Sequence, residues 1–214
     1  LYRAQPQLGL IHCASRFVDP DGRELENYVR KSNTASGDVL LELFCDFFLI
    51  TSAVMVPRHC LDRVGIFDES LRIGEDYDLF LRLAACWPAG CVEQPLLNRT
   101  VRADSLSRED YDHDARMDLM ILERFAQEHP DFADLHRSEI NVRLASYHYE
   151  FGYRLLDDGH TRRARKMLTR SLRYRPSFQA GKALARSLLP RRAWSPVSYT
   201  HLRAHETKAN LVCR

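Results

Sequence analysis

The sequence predicts an α/β unit followed by an α-helical extension, and three observations carry that prediction. The apolar run at 49–56 has the length and composition of a buried strand, and helix signals follow it. From residue 109 onward the apolar residues recur at helical spacing. Charge divides the chain further on. Residues 1–158 hold 17 Lys/Arg and 28 Asp/Glu, a net of −11, whereas residues 159–196 hold 11 Lys/Arg and no acid.

The 214 residues suffice for one medium domain and a small appendage, with 45% hydrophobic and 28% charged residues and a net charge of +2. No apolar run approaches the roughly 18 residues that span a bilayer. The start, Leu1-Tyr2-Arg3-Ala4, has neither an initiator Met nor the apolar core of a signal peptide, so the chain is expected to begin inside a longer reading frame. Six cysteines, at 13, 45, 60, 86, 91 and 213, form no CxxC pair, and the nine histidines form no HExxH or HxH pattern. Reduced thiols in a cytosolic protein and no self-contained metal site are the expectation.

Taken in order, residues 8–13 read as a short strand, 17–23 as a turn with Pro and Asp-Gly signals, and 27–38 as a polar loop. A helical turn begins at 39–44, and the buried strand of 49–56 follows. Residues 57–64 read as a short helix closed by Gly65. The next helix starts at Glu75, places Leu79, Phe80 and Leu83 on one face, and ends at Trp87-Pro88-Ala89-Gly90. Residues 91–93 and 96–98 read as two strand pieces either side of Pro95.

The stretch Gly74-Glu75-Asp76-Tyr77-Asp78 concentrates the acids. Carboxylates in a first helical turn face unpaired backbone N–H groups and the positive end of the macrodipole. Two readings stand side by side. The acids cap the helix, or one of them is poised to accept a proton from a ligand. Asp78, deeper in the turn, reads as favouring the helix start.

The order of residues around these acids resembles the acceptor-side half of the family-two nucleotide-sugar glycosyltransferases. Arg58, Val64-Gly65, Phe67-Asp68-Glu69, Leu71, Gly74-Glu75-Asp76, Asp78-Leu79 and Leu81-Arg82-Leu83 carry the resemblance, which extends over about residues 8–107. It implies the C-terminal part of an A-type glycosyltransferase domain, a mixed sheet with flanking helices whose nucleotide-binding half precedes this chain. It further implies that Asp76 is the general base on the acceptor hydroxyl, with Glu75, Asp68 and Glu69 supporting the site or the acceptor. A divalent cation, Mg or Mn, would be held mainly by the preceding half. Where relatives carry a histidine that completes the metal shell, this chain has Arg102, so Arg99 and Arg102 are expected to meet a diphosphate instead. The processive-synthase motif QxxRW is absent, which implies a non-processive, inverting enzyme. Its donor would be a nucleotide sugar and its acceptor a glycan or lipid-linked glycan, at a cytoplasmic location that includes the inner face of the membrane.

Asp110, Asp112 and Asp114 lead a helix with Met117, Ile121 and Phe125 at i, i+4 and i+8; the spacing lacks the Gly and Glu of an EF-hand loop and reads as a helix start. Residues 145–178 resemble one tetratricopeptide repeat through Gly152, Ala164, Leu168 and Pro176, with the turn at Asp157-Asp158-Gly159-His160. The expected organisation is a partial transferase domain over 1–108, connecting helices over 109–144, a repeat-like unit over 145–190 and a tail over 191–214. The alternative function is a helical-repeat interaction module on a degenerate transferase scaffold. The basic segment 159–196 suits an anionic membrane surface better than nucleic acid, since its aromatics are sparse and no nucleic-acid motif is present. From about residue 197 the sequence resembles a translated sequencing adapter and is excluded from the fold.

Overall fold

The computed structural model describes residues 1–25, 34–101 and 111–189, the last of these by backbone alone at 111–115. Arg102, the side chains of Asp110, Asp112 and Asp114, most of the 27–38 loop and the adapter-like tail lie outside the described residues. The fold is mixed α/β, with a three-stranded mixed sheet and eight helices among the described residues. Two compact units divide it, Leu1–Ile121 and the remainder from Leu122.

In the first unit, β1 (Leu10–Val18) lies between β2 (Val54–Met55), to which it is antiparallel, and β3 (Ala89–Thr100), to which it is parallel. A central strand with neighbours on both sides is buried along most of its length, and Leu10, Ile11, Ala14 and Val18 are all buried. The strand is longer than the 8–13 expected from sequence. Phe17 and Val18 belong to it, and the turn starts only at Asp19, whose Oδ1 accepts the N–H groups of Asp21 (2.9 Å) and Arg23 (2.8 Å).

Two strand expectations are corrected. The 49–56 run is not a buried strand. Thr51–Ala53 form a 3-10 turn, Thr51 and Ser52 are exposed, and only Val54–Met55 pair with β1, opposite His12 and Ile11. Two hydroxyl residues in the middle of the run favour a turn over a ladder. Residues 91–98, in turn, are not two pieces. β3 is one strand whose register shifts at two successive steps, where Cys13 pairs with Val92, Ala14 with Pro95 and Ser15 with Leu97. Pro95 has no N–H to offer a ladder, and a bulge is where a strand accommodates it.

The helices of this unit follow the sequence reading closely. They are α1 (Leu40–Cys45), α2 (Arg58–Val64) closed by Gly65, and α3 (Glu75–Ala84). Leu43, Phe44, Leu79, Phe80, Leu81 and Leu83 from α1 and α3 join Leu10 in the core.

The second unit contains the end of α4 (Tyr111–Glu128), then α5 (Pro130–Leu135), α6 (Arg137–Asp157), α7 (Thr161–Tyr174) and α8 (Phe178–Arg186). The turn between α6 and α7 falls where the sequence places it. Gly159 has φ +86°, and the N–H groups of His160 and Gly159 bond to the carbonyls of Leu155 (2.7 Å) and Leu156 (3.1 Å), a paired closure of the helix end. Gly152 is where α6 and α7 approach; a Cβ there would stand 3.0 Å from Leu168 Cγ and 3.1 Å from the Leu168 backbone nitrogen. Ser171 donates to the Ala145 carbonyl (2.8 Å), so the small residues of the repeat-like pattern face the facing helix. His148 is fully buried and bonded through Nε2 to Glu123 Oε1 (2.9 Å), which also accepts from the Tyr174 hydroxyl (3.2 Å). That bond to His148 is the main cause holding the Glu123 carboxyl below its ordinary pKa.

Candidate active site

The acids gather where α3 begins. Gly74 enters the helix at φ +83°, a conformation open to glycine, and a Cβ there would stand 2.7 Å from Ile121 Cδ1. Gly74 has no side chain to cap this end, and the Tyr77 N–H of the first turn bonds to the Asp76 carboxylate instead.

Asp76 is half-buried and its carboxylate is held at both oxygens. Oδ1 accepts the Tyr77 backbone N–H (2.8 Å), and Oδ2 accepts the Thr51 hydroxyl. The two readings of this residue therefore meet. It satisfies one orphan N–H of its own helix, and each oxygen keeps a second lone pair able to accept a proton from a ligand. Thr51 is a residue that the sequence reading missed, because it sat inside an assumed strand. Its 3-10 turn is continuous with β2 and so is tied to β1, which anchors Asp76 to the sheet as well as to its own helix.

The residues on either side of Asp76 fix the helix. Tyr77 is buried, and its hydroxyl lies 3.0 and 2.9 Å from the carbonyls of Leu43 and Phe44 at the end of α1, groups that a helix leaves unpaired; its ring stacks on Phe47 at 4.6 Å. Asp78, an acid of the same first turn, is 7% exposed. Its Oδ2 accepts from Arg82 Nε (2.9 Å) and NH2 (2.7 Å), and the same guanidinium donates to the carbonyls of Val64 (2.6 Å) and Ile66 (2.9 Å). Asp78 and Arg82 thus clamp the end of α2 and the following turn onto α3.

The remaining candidates divide. Glu75 lies in the first turn beside Asp76, half-buried. Asp68 shapes its own turn, accepting from the N–H (3.0 Å) and hydroxyl (2.6 Å) of Ser70, while Glu69 next to it is exposed. Arg99 is not brought to this corner. It is exposed on β3 opposite Phe17, over whose ring its guanidinium lies at 5.7 Å. Thr51 adjoins the His12 end of β1, roughly 16 Å along the strand from Phe17.

Beside Thr51 opens a cleft of about 170 Å³, lined by Val54, Val56, Leu61, Ile66, Phe67 and Leu79 among others. It is too small for a whole glycan or nucleotide by ordinary pocket sizes. Ile66 and Phe67 are 66% and 46% exposed, so its rim presents apolar surface to solvent. Among the described residues no group of three His, Cys, Asp or Glu side chains is placed to hold a metal ion. No protein-family model and no curated protein gives a significant match to the chain.

Proposed function

We propose that the chain is the acceptor-side part of an inverting, non-processive glycosyltransferase of the A-type fold, which moves a sugar from a nucleotide-sugar donor to an acceptor hydroxyl. The observation that carries this reading is the carboxylate of Asp76, held by the Tyr77 N–H and by Thr51, itself a lining residue of the cleft, within the residue order that resembles the family. The acceptor hydroxyl approaches a free lone pair of Asp76. As its oxygen attacks the anomeric carbon, the proton passes to the carboxylate, the bond between that carbon and the diphosphate oxygen breaks, and the nucleoside diphosphate leaves with the bonding pair. Attack from the face opposite the leaving group inverts the anomeric centre.

Glu75 is assigned to orienting the acceptor, with Asp68 and Glu69 supporting the site. Arg99 and Arg102 are assigned to the donor diphosphate. A Mg or Mn ion would neutralise the departing diphosphate, and its ligands are assigned to the nucleotide-binding half rather than to these residues. The acceptor is a cell-surface glycan or a lipid-linked glycan, and the site of action is cytoplasmic. Among the described residues no helix is long and apolar enough to cross a membrane.

The α6–α7 pair favours a second reading, a helical interaction module on a degenerate scaffold. Several further repeats in the intact reading frame would support it, because one repeat cannot form a binding groove. The two readings separate on activity. In the intact protein, transfer of sugar from a panel of nucleotide sugars, abolished by Asp76→Asn with nucleotide binding preserved, supports the enzyme. Absence of transfer with every donor that binds rejects it.

A further inference from the structure

We propose that the outward faces of α7 and α8 form a docking surface for an anionic lipid bilayer. This inference is independent of the glycosyltransferase reading. In α7 the stripe Ala164, Leu168 and Ser171 is buried, and the opposite face carries Arg162, Lys166 and Arg173 flanked by Arg163 and Arg170, all exposed. Some cations of this region have internal work. Arg165 donates to the hydroxyl (3.2 Å) and carbonyl (2.6 Å) of Ser187, Arg170 stands 4.0 Å from Glu123, and Arg186 stands 3.6 Å from Asp157. Arg162, Arg163, Lys166 and Arg173 make no ion pair among the described residues, and the sequence offers no carboxylate between residues 159 and 196 to neutralise them. Such a face attracts anions by charge alone.

A second observation selects the kind of anion. α8 buries Ala180, Ala183 and Ser187 and presents the opposite stripe outward. That stripe starts at Phe178, 85% exposed, continues through Lys182, and is followed by Leu188 and Leu189, 67% and 55% exposed. The contact between Arg165 and Ser187 joins the two helices, so the cations and the apolar residues belong to one helical pair. Leucines gain nothing from a sugar–phosphate backbone. An aromatic ring and two leucines beside cations instead suit the boundary between headgroups and acyl chains.

The test sediments the full chain with phosphatidylcholine vesicles, with and without phosphatidylserine. Binding is expected with phosphatidylserine alone, and it should fade as salt shortens the screening length from about 10 Å at 0.1 M to about 3 Å at 1 M. The triple substitution Arg162→Gln, Lys166→Gln, Arg173→Gln should weaken binding about 100-fold, from about fivefold per cation. The double substitution Phe178→Ser, Leu189→Ser should weaken it while leaving the salt dependence unchanged. All five positions are exposed, or adjoin exposed surface, so far-ultraviolet circular dichroism should match the parent for both variants. Equal binding to both vesicles, or no binding, overturns the proposal. So does capture of duplex RNA or DNA that the triple substitution abolishes and the double one spares, in the absence of vesicle binding.

Discussion

Asp76 and Asp78 sit two residues apart in one helix turn and have different work. Asp76 accepts from Thr51, a lining residue of the cleft; Asp78 is buried against Arg82. Removing one partner of a buried pair leaves the other charge uncompensated, so Asp78→Ala should destabilise the first unit by about 3 kcal/mol, read as a lower urea midpoint. A destabilisation within about 0.5 kcal/mol, the range of ordinary surface substitutions, would show that the clamp is not needed. Thr51 should act on rate rather than on folding. On the proposed transferase reading, Thr51→Val in the intact protein is expected to lower turnover about tenfold or more, by the worth of one hydrogen bond to a charged group, and Thr51→Ser should restore it. Equal turnover for the valine and serine variants would remove Thr51 from the site. His12 gives a pH signature. It is buried, its Nε2–H donates to the Ala35 carbonyl (2.9 Å), and burial is the main cause that lowers its pKa below 6.5. A folded state with a lowered pKa binds fewer protons than the unfolded chain, so stability present above pH 6.5 is lost as pH falls below it. The slope should reach at most about 1.4 kcal/mol per pH unit and should be missing in His12→Asn. A parent stability that is flat between neutral pH and the onset of carboxylate protonation would contradict this assignment.

At the scale of elements, legibility in the sequence followed locality. The closure of α2 by Gly65, the start of α3 at Glu75 and the turn at Gly159 are written within a few residues each, and all three were readable. β2 was not, because its length is set by pairing with β1, and β3 was split wrongly because its bulge depends on what lies opposite Pro95. The candidate site divides in the same manner. Asp76 could be picked out from its helix start, but Thr51 lies 25 residues away in sequence and Arg82 reaches back 16 to 18 residues to Ile66 and Val64. The polar pair Thr51-Ser52 inside an apolar run was the available signal. In the second unit the small residues were readable as a close helix approach, and this can be measured. Gly152→Val should force Leu168 or the α7 backbone to shift, costing about 1–3 kcal/mol by overpacking. Thermal unfolding at the parental temperature would show that α6 and α7 do not rely on this contact.

For the whole molecule, the mixed α/β character and the late helical region were legible because they follow from composition and periodicity. The proposed reaction rests on resemblance, which assigns the nucleotide contacts to a preceding half. What the structure contributes is a carboxylate built into place. Asp76 is joined to α3 by Tyr77 and to the sheet by Thr51, and α3 is fastened to α1 by Tyr77 and to the α2 turn by Arg82. Such fastening suits a group that must meet a substrate atom in a fixed position. The most direct test is acceptor turnover in the intact protein, parent beside Asp76→Asn, with nucleotide affinity measured on both. The asparagine keeps the shape and cannot take the proton. Turnover should fall roughly 100- to 10,000-fold while nucleotide affinity is preserved. Near-parental turnover in Asp76→Asn would contradict the account and leave the acids at the start of α3 as a helix cap.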